Sequence, residues 1–134
     1  MGMTSSITKL KPEDLDFYNN IKAEDITARI VQVIDPTHFI MIIKHNGENK
    51  KFLCKGHGYK VIDESQNNYL LSKINMYLNN CSQLVKVNTH GTDNNGYLLV
   101  EIFCSRLNDT LNNLLKYEKG IDFEMNFDHF KNVL

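Results

Sequence analysis

The densest run of groups able to do chemistry lies between residues 44 and 60. Lys44, Lys50, Lys51, Lys55 and Lys60 stand there against one acid, Glu48, a local balance of +4. Phe52, Tyr59, His45 and His57 are interleaved with them. Cationic side chains attract a phosphate backbone and planar rings stack on bases. The Lys44–Lys60 run, with Tyr59 as a stacking ring, is therefore a candidate face for single-stranded nucleic acid. A solvated hairpin rim with Phe52 turned into the core accounts for the same alternation. Lysine in place of arginine also restricts such contact to the backbone, because an ammonium is a point charge and not a bidentate fork.

Acids suited to a metal are sparser. Asp63 and Glu64 stand just before a predicted helix, at its positive end, where carboxylates are stabilised. Cys54-Lys55-Gly56-His57 has a ligand-like spacing, and His38, His45 and His90 lie near other turns. Structural zinc takes four ligands in close pairs, and no second pair is spaced for it. Cys54 as a nucleophile would need an oriented base that the sequence does not supply. No cofactor is expected.

The bulk numbers limit the remaining classes. A chain of 134 residues with 42% hydrophobic and 23% charged residues fits one soluble domain with a real core. A net charge of −1 means the whole molecule is not drawn to nucleic acid by its field, so such binding needs a local patch. The three cysteines, Cys54, Cys81 and Cys104, are odd in number and widely spaced, which excludes a disulfide framework. With no apolar run of membrane length and no apolar stretch of a secretory leader, an intracellular protein is expected, in cytoplasm or nucleus. Met1-Gly2-Met3-Thr4-Ser5-Ser6 fits N-terminal myristoylation at Gly2, and membrane association is expected only in that case. The plainer reading makes Met3 the natural start. Abundant asparagine and thirteen Lys against two Arg, Arg29 and Arg106, are what an AT-rich genome produces, such as that of a large DNA virus, with a virus-infected cell or virion as the setting.

The elements follow from pattern and turns. Residues 1–25 form a polar arm, with Pro12-Glu13-Asp14 opening a short helix through Asn19. Ile26 to Asp35, His38 to Lys44 and Lys50 to Lys55 read as three strands joined by Pro36-Thr37 and by His45-Asn46-Gly47-Glu48. Gly56 to Gln66 reads as loop, and Asn67 to Asn80 has helical spacing. Gln83 to Thr89 and Tyr97 to Cys104 flank a hairpin turn. Asn108 is placed to cap a helix carrying Leu111, Leu114, Leu115 and Tyr117, closed by Gly120. Phe123, Phe127 and Phe130 suggest a last helix over 123–133. The order βββ-α-ββ-α-α is that of a small five-stranded OB-type barrel, in an α+β, mainly β, domain spanning 26–134.

Three segments in this order resemble the staphylococcal-nuclease-like domains. Ala28 to Phe39 is similar to their first strand and turn, which carries Val-Ile-Asp-Gly-Asp-Thr. Asp93-Asn94-Asn95-Gly96-Tyr97-Leu98-Leu99 is similar to their Asp-x-Tyr-Gly-Arg-x-Leu hairpin. Leu107 to Leu115 is similar to their second helix, Val-Asn-x-x-Leu-Val. The resemblance implies an ancestry in calcium-dependent phosphodiester hydrolysis. That chemistry needs carboxylates for the metal, a glutamate for the water and two arginines for the charge building on phosphorus.

Carried over position by position, those groups are gone. Asp35 keeps the first acid of the turn, but Pro36 and Thr37 stand for the glycine and the metal-ligating aspartate. Leu53 stands for one arginine and Tyr97 for the other. The loop that should read Asp-x-Pro-Glu offers Gly58 without gaps. With an insertion it offers Val61-Ile62-Asp63-Glu64-Ser65. Thr37, Leu53 and Tyr97 are thus degenerate positions, and the expected function is that of a catalytically inactive scaffold binding a protein partner or itself. Nucleic-acid binding through Lys44–Lys60 without cleavage is the alternative, and a divergent metal-dependent nuclease built on Asp35, Asp63 and Glu64 is a second one.

Overall fold

Strict alternation of buried and half-exposed positions along 98–104 and 51–56 marks strands with one face in a core. The computed structural model describes residues 11–18, 26–79 and 84–123. Its strands are β1 (Phe17–Tyr18), β2 (Ile26–Asp35), β3 (His38–His45), β4 (Glu48–Gly56), β5 (Tyr59–Val61), β6 (Leu84–Thr92), β7 (Leu98–Cys104), β8 (Asp109–Thr110) and β9 (Ile121–Phe123). The helices are α1 (Asn67–Asn79) and α2 (Leu111–Leu114), with single 3-10 turns at Pro12–Asp14 and Glu64–Gln66.

Strands β4, β3, β2, β6 and β7 bond side by side in that order, and β4 pairs again with β7. Five strands therefore close into a barrel. The closing pair, Cys54–Gly56 on Leu98–Val100, is parallel, and the other four pairings are antiparallel. With α1 between the third and fourth barrel strands, this is an OB-like barrel in a mainly β α+β domain, as the element order implied. Strand β2 makes closure feasible. Register shifts at Ile30/Gln32 and Val33/Asp35 coil it, so that Ile26–Arg29 also reach β6. Asn46 and Gly47, with φ of 52° and 78°, form the two-residue turn that matches the twist of β3 and β4.

The core takes Phe39, Met41 and Ile43 from β3, Phe52 and Cys54 from β4 and alternate residues of β6 and β7. Ile74 of α1 and Leu111 and Leu115 at α2 join the same cluster. Each such side chain contributes roughly 1.5–3 kcal/mol by leaving water. Asn112 is the polar stitch in this core. Its side-chain oxygen accepts from Ile102 N at 3.0 Å, and its nitrogen donates to His57 O at 2.9 Å and Val100 O at 3.1 Å. One amide thus ties β7 to the turn after β4, at the closing seam.

Four expectations are corrected. The arm does not continue as a helix to Asn19; it stops at Asp14, and Phe17–Tyr18 run extended because they pair with Lys51–Phe52. The stretch expected as loop contains β5, which pairs with β9. The second helix is one turn, and its N-cap is Thr110, whose hydroxyl accepts from Asn113 N at 3.0 Å, while Asn108 sits at φ 53°. Tyr117, the next ring on the expected helix, is 88% exposed, so no burial of that ring supports a longer helix. Phe123 belongs to β9, not to a helix. The rest of the expected last helix, the Gly2 lipidation position and Cys81 lie outside the described residues. Among the described residues no helix is long and apolar enough to cross a membrane.

Candidate functional site

A cleft of about 250 Å³ opens beside the turn that joins β2 to β3. Its walls are the turn itself, Asp35 to His38, with Lys55 of β4, Lys60 and Val61 of β5, and Glu64 and Asn67 where α1 begins. The turn is tight because Asp35 organises it. Asp35 Oδ1 accepts from Thr37 N at 2.9 Å, Thr37 Oγ1 at 3.1 Å and His38 N at 2.9 Å, and His38 Nδ1 lies 2.8 Å away. An ionised carboxylate only accepts, so Nδ1 carries the hydrogen on that side. Burial by itself pushes the Asp35 carboxyl up. The bonds from His38 and the Thr37 amide, with the pull of His38, outweigh it and hold the group below its ordinary value. Behind His38, the Tyr97 ring packs at 4.6 Å between centroids, tilted by 58°. Tyr97 is in turn positioned by Asp93, whose carboxylate accepts from Tyr97 N at 2.9 Å.

Two of the three positions expected to be degenerate therefore meet at this turn. Thr37 and Tyr97 pack around Asp35 and His38, whereas Leu53 lies half-buried opposite Ile40 and does not line the cleft. Arg29, on β2 between Ile42 and Leu84, and Arg106, exposed after β7, are not among its lining residues either. Of the candidate metal ligands, Asp35 and Glu64 reach the cleft. Asp63 is turned aside: it caps the 3-10 turn, accepting from Ser65 N at 3.1 Å and Ser65 Oγ at 2.6 Å, and those bonds hold its pKa down. Calcium takes six to eight oxygens. One exposed carboxylate and one already committed to Thr37 and His38 do not fit it, and no three His, Cys, Asp or Glu side chains among the described residues are grouped to hold a metal.

The five lysines do not share one face. Alternation puts Lys51 and Lys55 on the side of β4 opposite Lys50. Lys55 and Lys60 belong to the cleft, and Lys44 is half-buried on β3 opposite Asn49. Lys50 and Lys51 lie over rings of β1, with Lys50 Nζ 3.7 Å from the Tyr18 centroid and Lys51 Nζ 4.5 Å from that of Phe17. Tyr59 is a core residue, 3% exposed, and its hydroxyl donates to Pro36 O at 2.7 Å. Its ring braces the cleft turn from beneath instead of facing solvent. Cys54 is buried as well, and burial pushes its thiol far up, which leaves it a small hydrophobe.

Sequence reasoning missed three features. Phe17 and Tyr18 are the rings that stand beside lysines, and their distance in sequence from Lys50 hid this. His57 and His90 stack at 4.0 Å and 11°, with His90 Nε2 2.6 Å from Glu101 Oε1, a contact between β6, β7 and the turn after β4. The third is Asn112. Leu-Asn-x-x-Leu occurs at 107–111 and again at 111–115, and the buried asparagine is that of the second copy.

No protein-family profile matches this chain, and no characterised protein is similar enough to it in sequence to count as a relative.

Proposed function

We propose that this chain is a staphylococcal-nuclease-like barrel that no longer cuts nucleic acid and serves as a binding module for a protein partner. The observation that carries the reading is the state of Asp35. The acid that remains at the former metal turn is engaged by Thr37 and by His38, whose Nδ1 lies 2.8 and 3.0 Å from its two oxygens, at a turn backed by Tyr97. A hydrolytic site needs that charge free for a cation and needs guanidinium groups aimed at the phosphoryl oxygens. Each missing charge-stabilising group of this kind costs on the order of 3 kcal/mol of transition-state stabilisation. The barrel, the braced turn and the Asp93 hairpin all support retention of the scaffold without that chemistry.

A second reading, nucleic-acid binding without cleavage, is favoured by Lys55 and Lys60 in the cleft. Oligonucleotide binding measured against salt separates the two. A protein-binding module gives no oligonucleotide binding at any salt. An affinity that falls steeply as salt rises, and that weakens with Lys55→Ala and Lys60→Ala, sinks the first reading in favour of the second.

A further inference from the structure

We propose that the edge of β4 from Lys50 to Phe52, which β7 does not cover, is an acceptor site for an extended peptide with two consecutive aromatic residues, filled by residues 11–18 of the same chain and, in trans, by residues 11–18 of a second copy. The proposal rests on the binding-module reading and names its partner.

β4 has two edges. β3 covers one along its length. On the other, β7 pairs only with Cys54–Gly56, which leaves the earlier backbone groups as a template for another strand. β1 takes that place in parallel, Phe17 beside Lys51 and Tyr18 beside Phe52. The side chains read the incoming segment on both faces. Tyr18 sets its ring edge against Phe52 at 5.8 Å, under Lys50 Nζ. Phe17 lies under Lys51 Nζ, and that ammonium also donates to Pro12 O at 2.9 Å. Glu13 and Asp16 make the segment acidic where the acceptor edge is basic. Backbone pairing with alternate side-chain contacts is the usual form of strand addition.

The hold within one chain is slight. It amounts to two paired residues, the hydrogen bond from Lys51 to Pro12 O, and two rings beneath lysines, which remain 55% and 46% exposed. A segment held so lightly exchanges with an identical one. A second copy is the occupant that the geometry favours, because its residues 11–18 are the peptide already seated on this edge. Reciprocal exchange keeps every contact in both copies, which makes it a low-cost route to a dimer. The seven residues 19–25 between Tyr18 and β2 span at most about 25 Å, so exchange requires the two barrels to pack closely.

A fluorescent peptide of residues 11–18 is titrated by anisotropy against the wild-type chain and against Phe17→Ala/Tyr18→Ala, with light scattering on both from low to high micromolar. The double variant has its acceptor vacated, so it binds peptide about tenfold more tightly than wild type, whose own arm competes. Adding Lys50→Ala and Lys51→Ala abolishes binding, as does replacing both rings of the peptide by alanine. The wild type shifts from monomer to dimer with concentration, and the double variant stays monomeric. Absent or equal peptide binding on the two chains overturns the acceptor, and a wild type monomeric throughout overturns the second copy as occupant. Should the double variant not fold, excess peptide added to the wild-type dimer decides the matter: dissociation supports the site, and a dimer that persists overturns it. Nuclease activity would sink the binding-module reading, whereas a monomer that ignores the peptide sinks this site alone.

Discussion

At Asp35 a single carboxylate holds a turn, and this has a consequence for acid stability. Because the folded-state pKa is depressed, its contribution is fully present above the ordinary value of 3.8 and is lost as pH falls through the folded value. Melting temperature against pH should therefore drop in the acid range, and Asp35→Asn should remove part of that slope while lowering stability at neutral pH. An unchanged slope in the variant would contradict the assignment. Asn112 carries more. Asn112→Ala removes the amide that serves Ile102 N and His57 O, each loss at about 1–3 kcal/mol, while Val100 O keeps its bond from His57 N, so the urea midpoint should fall by an amount worth roughly 2 kcal/mol or more with little change in slope. Asp35 was legible in the sequence, since an acid that closes an apolar run before Pro36-Thr37 marks a turn. Asn112 was not. Its spacing to leucines is the same as that of Asn108, and only the closing seam of the barrel decides which asparagine is buried.

The elements were legible where periodicity ran long and blurred where tertiary contact decided. α1 and the five barrel strands follow alternation and turn chemistry. β1, β5 and β9, two or three residues each, exist because a neighbouring edge is there to pair with, and no local pattern encodes that. The seam where β4 turns toward β5 offers a test of packing at this scale. A Cβ at Gly56 would overlap the Tyr59 ring beneath the cleft turn. Gly56→Ala should cost about 1–3 kcal/mol by overpacking, and combining it with Tyr59→Ala should cost less than the sum of the two, as read from chemical denaturation. Additive losses would mean the two do not press on each other. Thr110→Ala, which strips the cap from the single turn of α2, should lower stability by about 1 kcal/mol in the same denaturation measurement.

For the whole molecule, the barrel supplies a rigid frame with two places of interest on β4, the cleft beside Lys55 and the arm seated at Lys50 and Lys51. A net charge of −1 gives the frame no general pull on nucleic acid, so what it binds depends on these local surfaces. The candidate site was half legible. The sequence pointed to the turn at Asp35–Thr37 and to Tyr97 on the hairpin beside it, because both fall at turns flanked by clear strands. It misplaced the Tyr59 ring, whose side of the barrel depends on closure, and Leu53 does not line the cleft. Loss of cleavage is the central claim, and incubation of the pure chain with labelled single- and double-stranded DNA and RNA in calcium, magnesium or manganese tests it directly. No products above the buffer control are expected under any of these ions. Products that disappear with Asp35→Ala and with Glu64→Ala would contradict it.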